Sequence, residues 1–334
     1  MSDLVSLLQQ AYQNRTALLE TLHAEDTNCY RLFHGTNEGM AGLTVDRYGP
    51  QLLIQSFHDS LNEAQVAQIS EFYSVLFAAQ EVIYNDRSAS NSRRQDARDK
   101  RSLPLVGQEL GVNYRVKGKH SGQDPYLFLD MRVGRRYVMA HAADKSVLNL
   151  FSYTCGVGVC AAMAGAKTVV NVDFAERNLA IGHENAELNG LTSDQISFIQ
   201  SDFFTAAKQF AGIPVKQRIR RGQKPRAFPR LEAQQFDMVY LDPPRWAKSH
   251  FGTVDLIRDY PSVLKPSLLA TKEGGTLICT NNVAKVSMDE WLDVVRRCAD
   301  KSGRPIKSIE LLPPEADFPS SDGQSPLKIA VLHL

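Results

Sequence analysis

The stretch SVLNLFSYTCGVGVCAAMAGAKTVVNVD, from Ser146 to Asp173, constrains this chain more than any other. Val147 to Phe151 is an apolar run of buried-strand length, and Ser152-Tyr153-Thr154 has turn chemistry. Gly156 and Gly158 open a small-residue helix predicted over Val159 to Gly165, and a second apolar strand, Thr168 to Val172, ends on Asp173. Together these make one βαβ unit, for which parallel strands and a right-handed crossover are predicted. A nucleoside suits such a unit. Glycines let the backbone approach a ligand, the helix N-terminus offers free N–H groups, and a strand-end acid accepts ribose hydroxyls. Gly156-Val157-Gly158, with Ala161 in the third place, also meets the dinucleotide spacing, so this unit alone does not separate the cofactors.

The 334 residues allow two or so domains, and the apolar content supports sizeable cores. The formal net charge is only +1, so any affinity for nucleic acid must come from local patches. The five cysteines, Cys29, Cys155, Cys160, Cys279 and Cys298, show no CxxC spacing and no zinc-like cluster with histidine. Reduced thiols in a cytoplasmic protein without a metal are expected. The N-terminal segment is too polar for a signal peptide, and no apolar run reaches membrane-spanning length.

Leu4 to Leu22 carries apolar residues at helical spacing. Short strands are predicted around Leu43–Asp46 and Gln51–Phe57, joined by an Arg47-Tyr48-Gly49-Pro50 turn. Ser60-Leu61-Asn62-Glu63 reads as a capping box for a helix reaching Phe77, and Val82–Tyr84 and Val112–Lys119 as further strands. Asp86 to Arg101 is charged and reads either as a solvated loop or as an RNA-facing surface. These elements outline a small N-terminal α+β domain over 1–118, facing the substrate.

Residues 119–334 read as a doubly wound α/β domain. A helix is predicted over Ala175–Asn189, strands at Ile196–Gln200 and Phe236–Leu241, and a helix running from the Asp242-Pro243-Pro244-Arg245-Trp246 segment to Ala270. Strand Thr276–Thr280, helix Met288–Ala299 and two late strands, Ile306–Leu311 and Lys328–Leu332, complete it, the last inserted antiparallel beside its neighbour. Asp173, Asp202 and Asp242 each end or follow a strand, where ligands bind in open α/β sheets. Asp173 suits a ribose diol, Asp202 with Phe203 suits an adenine, and Asp242, stiffened by Pro243 and Pro244, suits the reaction centre. A lone strand-end acid would instead be read as a helix cap.

The segments LNLFSYTCGVGVCAAMAGAKTVVNVDFAERNLAIGHENAELNGL, FDMVYLDPPRWAKS and GGTLICTNN together resemble class I S-adenosylmethionine-dependent methyltransferases. More narrowly, they resemble the bacterial 23S ribosomal RNA large-subunit methyltransferases of the cytosine-C5 and guanine-N7 types. The likeness runs from about residue 110 to the end, and GMAGLTVDRYG is similar to the small domain before the catalytic one in the cytosine-C5 members. The resemblance implies a Rossmann-like methyltransferase sheet and S-adenosyl-L-methionine as cofactor. It places Asp130 and Arg132, of PYLFLDMRVGRRYV, near the methionine end, and Phe151, Ser152, Tyr153 and Gly156 in the cofactor loop.

The sequence departs from the cytosine-C5 members at two places. They carry an extra N-terminal RNA-binding domain where this chain has only the helix Leu4–Leu22. They also need a thiolate to attack C6 of the pyrimidine, and at that place this chain has Asn281-Asn282, as in the guanine-N7 type. Cys279 lies upstream and reads as a buried hydrophobe. The sequence therefore leans to non-covalent guanine-nitrogen methylation, with Asp242, Pro243, Pro244, Trp246 and Asn282 as the catalytic set and covalent cytosine-C5 methylation as the alternative. Arg245 or Trp246 could stack on a flipped base, or Trp246 could pack under the following helix. Lys216 to Arg230 holds seven cations in fifteen positions without an acid, and Arg218, Arg220, Arg221, Lys224 and Arg226 are read as RNA contacts. More distant readings are a nicotinamide-dependent oxidoreductase and a non-catalytic RNA-binding assembly factor.

Overall fold

A computed structural model describes residues 3–88, 105–118, 125–215, 224–320 and 322–334. The chain divides into two units, Met1–Arg132 with Pro314–Gln324 and Val133–Pro313 with Ser325–Leu334.

In the first unit, α1 (Leu4–Ala24) buries Leu8, Ala11, Leu19 and Leu22 on one face. Strands β1 (Cys29–His34), β2 (Leu43–Tyr48) and β3 (Gln51–Ser56) pair antiparallel, and β4 (Glu81–Asp86) joins β3 in parallel after α2 (Glu63–Phe77). Strand β1 has no clean period-2 signature because a bulge between Arg31 and Phe33 puts Leu32 and Phe33 both into the core. The predicted four-residue turn contracts to Gly49-Pro50, since Arg47 and Tyr48 stay in the ladder opposite Leu52 and Gln51. The capping box also shifts. Asn62 and Gln65 bond reciprocally at the start of α2, while Ser60 Oγ donates to Asp86 at 2.7 Å. A hairpin, β5 (Leu105–Glu109) and β6 (Val112–Val116), turns through left-handed Leu110 and Gly111.

In the second unit, α3 (Arg132–His141) leads into β7 (Ser146–Leu150), α4 (Gly156–Met163), β8 (Thr168–Asp173), α5 (Glu176–Leu188) and β9 (Ile196–Gln200). Then come α6 (Phe203–Phe210), β10 (Phe236–Leu241), the hairpin β11 (Trp246–Lys248) and β12 (Thr253–Asp255), α7 (Pro261–Ala270) and β13 (Thr271–Asn281). Helix α8 (Met288–Lys301), β14 (Ser308–Leu312) and β15 (Lys328–His333) finish the unit. Seven strands form one sheet in the order β14-β15-β13-β10-β7-β8-β9, with β15 antiparallel to both its neighbours and β13, β10, β7, β8 and β9 parallel. The chain runs outward from β7 through β8 to β9, then returns to the other side of β7 at β10, so the order reverses there and the strand ends open a crevice.

The helix expected directly after Trp246 starts later. Leu256 N–H donates to the Arg245 carbonyl at 3.2 Å, which closes the hairpin first, and Pro261 with its fixed φ then begins α7.

Candidate active site

The loop between β7 and α4 is built from residues other than glycine. Phe151, Tyr153 and Cys155 adopt left-handed φ values of 56°, 49° and 62°, at about 1–2 kcal/mol each for L-residues. Three bonds hold this strained path. Ser152 N–H donates to the Val172 carbonyl at 3.0 Å, Cys155 N–H to the Ser152 carbonyl at 2.7 Å, and Tyr153 N–H to Asp173 Oδ2 at 2.9 Å. Gly156 is the first residue of α4. Gly158 faces the sheet: a Cβ there would collide with the buried side-chain amide of Asn171 on β8. Its missing side chain therefore serves the approach of helix to strand, not the ligand contact expected from the sequence.

At the ends of β8 and β9 lies a cavity of about 490 Å³, walled by Phe151, Asp173, Phe174, Asp202, Phe203 and Pro244. Asp173 is buried. Oδ1 accepts from Ala175 N–H at 2.9 Å and Asn178 Nδ2 at 3.3 Å, alongside the Tyr153 bond to Oδ2. Burial pushes its carboxyl above the ordinary range, and these N–H donors only partly pull it back. Asp202 caps α6 through Phe204 N–H at 2.8 Å with Oδ1 while its residue lines the cavity, so the cap and the ligand readings coexist. Phe203 stacks on Phe151 with ring centroids 4.5 Å apart and planes 16° apart. Phe174, 70% exposed, was missed from sequence, although an aromatic directly after a strand-end acid was the available signal. Two acceptors between flat apolar walls, in a volume typical of cofactor pockets, fit an adenosyl group.

Asp242 follows β10, and its Oδ1 accepts from Thr280 Oγ1 on β13 at 2.5 Å. Pro243 is buried, whereas Pro244, Arg245 and Trp246 are exposed. Trp246 is 60% exposed on β11, opposite Asp255, so it does not pack under a following helix. Asn282 is exposed, and Asn281 beside it is buried with Oδ1 accepting from Val283 N–H at 3.0 Å. Nothing in the sequence pointed to Lys328, which is buried and donates to the Val283 and Pro326 carbonyls, each at 3.0 Å, bracing the turn that presents Asn282. Cys279 points into the core, and burial pushes its thiol up to about 12.

The structure thus brings Phe151, Asp173, Asp202, Phe203 and Pro244 into one cavity. Ser152, Tyr153, Gly156, Asp242, Trp246 and Asn282 do not wall it. Asp130 lies in the short 3₁₀ turn Leu129–Met131 of the first unit. Arg132 is fully buried: Nε donates to Glu315 at 2.6 Å, Nη2 to Asp317 at 2.6 Å and Nη1 to the Cys29 carbonyl at 3.1 Å. The three bonds of that guanidinium lie inside the first unit, and Arg132, expected near the methionine end of the cofactor, does not wall the cavity. Arg218, Arg220 and Arg221 lie outside the described residues. Lys224 and Arg226 are exposed, and Arg226 joins the wall of the cavity beside Phe228.

A doubly wound sheet with carboxylates at three parallel strand ends and a cavity at two of them belongs to the nucleoside-cofactor enzymes. Residues 100–217 match the family described as S-adenosylmethionine-dependent methyltransferase, and the protein is a methyltransferase that uses S-adenosylmethionine. It is similar to ribosomal RNA large subunit methyltransferase I of Escherichia coli and of Klebsiella pneumoniae, at 27% identity over 321 residues, 93% of this chain and 74% of each relative. Its fold matches that of SMU.776, described as a methyltransferase and solved in complex with SAH, with a TM-score of 0.75 and 22% identity over 99% of this chain and 81% of the other. No described helix is long and apolar enough to cross a membrane.

Proposed function

We propose that this enzyme methylates a base of large-subunit ribosomal RNA in the cytoplasm. The RNA reading rests on the named relatives. The observation that carries the site is the shared cavity of Asp173 and Asp202 at adjacent strand ends. Asp173 accepts the ribose hydroxyls, Asp202 the adenine amino group, and Phe151, Phe174 and Phe203 flank the purine. S-adenosylmethionine, when bound, supplies a sulfonium methyl that a base atom takes by in-line displacement. Asp242, fixed by Thr280, and the exposed Arg245, Trp246 and Asn282 hold the target base against that methyl, so positioning provides much of the acceleration.

The relatives fit the cytosine-C5 alternative better than the guanine-N7 lean of the sequence. A specific observation keeps the nitrogen reading in view. Transfer to C5 requires a thiolate on C6, and all five cysteines are buried. Cys279 is the cysteine nearest in sequence to the Asn281-Asn282 turn, and it is held far from ionisation. Mass spectrometry of ribosomal RNA nucleosides from a strain lacking the gene decides between them: a missing 5-methylcytidine supports the first, a missing 7-methylguanosine the second. Full methylation in that strain removes the RNA reading altogether. Cys279→Ser abolishes turnover under the covalent route and leaves it within about two-fold under the other, while Asp173→Asn weakens SAH binding in calorimetry by at least about ten-fold, ~1.4 kcal/mol, under both.

A further inference from the structure

Away from the cofactor cavity, the second unit has a larger hollow of about 750 Å³ among α7, α8 and the segment leaving β12. Its lining includes Arg258, Lys265, Lys285, Arg297 and Lys301, all exposed. Its two acids are already engaged. Glu290 accepts from Ser287 N–H at 3.2 Å and Ser287 Oγ at 2.9 Å, and Asp293 meets Arg296 at 3.5 Å. None of the five cations forms an ion pair among the described residues. Five cations against the two carboxylates Glu290 and Asp293 leave the lining of this partly apolar hollow with an excess of positive charge, a local potential that a polyanion would neutralise. A chain with a formal net charge of +1 has no global field to do this instead.

The lining of the hollow is joined through the chain to the segments that carry the reaction centre. One wall includes Leu256, whose N–H bonds the Arg245 carbonyl, and another includes Lys285, three residues beyond Asn282. Of the lining cations, Lys285 and Arg258 lie nearest in the chain to Asn282 and to the Arg245–Leu256 bond, with Lys265, Arg297 and Lys301 on the two helices beyond them. The lining also includes the apolar Ile257, Val286, Val294 and Trp291. We propose that this hollow binds the phosphodiester backbone of the RNA next to the target nucleotide. The inference rests on the reading of the enzyme as an RNA base methyltransferase and adds a substrate surface to it.

The test is the triple variant K265Q/R297Q/K301Q, three exposed positions outside the core, compared with the charge-preserving K265R/R297K/K301R. Binding of protein-free large-subunit ribosomal RNA is measured across a salt series, binding of SAH and of inorganic phosphate by calorimetry, and methylation of the same RNA by the unaltered enzyme in parallel. The glutamine variant should lose at least about ten-fold in RNA affinity. Its log–log salt slope should become shallower by about 2, at roughly 0.7 per single-strand phosphate contact. The charge-preserving variant should bind RNA, and both should bind SAH, as the unaltered enzyme does. If the unaltered enzyme methylates the RNA while the glutamine variant binds it with the same affinity and slope, the hollow is not the substrate surface. If inorganic phosphate binding is lost but RNA affinity is kept, the hollow takes a small anion and the inference is overturned. If the unaltered enzyme methylates no base of that RNA, the RNA reading itself falls, and the hollow's assignment with it.

Discussion

Gly158 shows how much one absent side chain decides in this protein. Helix α4 lies against β8 at that point, where Asn171 is held by Asn149 Nδ2 at 2.9 Å and donates to the Ser197 carbonyl at 3.3 Å. Gly158→Ala would force helix and strand apart or break this buried amide pair. A loss of about 1–3 kcal/mol in urea unfolding is expected, with weaker SAH binding because the strained loop 151–155 is anchored to the same helix. Unchanged stability and affinity would show that α4 moves away at no cost. The acids of the site were legible in the sequence because each follows a strand whose end is marked by the loss of apolar residues. Lys328 was not legible. A lysine near the end of an apolar strand reads as an edge residue, and only the fold shows its ammonium buried against two carbonyls.

Three strands of the second unit are tied at their opposite ends by a polar clasp. Asp237 on β10 accepts from Ser146 N–H at 2.9 Å and Ser146 Oγ at 2.5 Å on β7, and from Lys272 Nζ at 2.8 Å on β13. Burial works against the charged carboxylate, but the Lys272 and Ser146 bonds outweigh it and bring the carboxyl down from 3.8 to about 2. A depressed carboxyl stabilises the fold above its unfolded value, near pH 4, and that contribution is lost as pH falls towards 2. The Asp237 side chain is 35% exposed, so solvent screening leaves roughly 1 kcal/mol. Asp237→Asn should therefore lower stability by about 1 kcal/mol at pH 7 and by almost nothing near pH 2. Urea titrations at both pH values check this, and an equal loss at both would assign the effect to packing.

The strand β10 that carries this clasp, like β9, has the bounds read from its apolar run. The hairpin β11–β12 was not legible, because three-residue strands offer too few alternations to stand out from a loop. Nor was β1, whose bulge breaks the period.

Across the chain as a whole, the segment between β14 and β15 leaves the second unit and belongs to the first. There Asp317 accepts from Arg132 Nη2 and, through Oδ2, from Arg31 N–H at 3.0 Å, while Glu315 takes Arg132 Nε. Burial opposes the charged guanidinium of Arg132, but Asp317, Glu109 and Glu315 together hold it well above its ordinary range. Arg132→Met should cost about 3–5 kcal/mol, because the buried Asp317 would lose its partner. Chemical unfolding measures the loss, and a stability within about 0.5 kcal/mol of the unaltered chain would contradict it.

The alternation of strands and helices, the strand-end acids and the cofactor loop are written locally, in runs of a few residues, and a chain read in order yields them. The pairing of Arg132 with Glu315 and Asp317 spans 183 and 185 positions, and the hollow on α7 and α8 gathers cations from four separate stretches. Such groupings have no period and no motif. They exist only once burial has removed water and folding has brought distant charges within bonding distance.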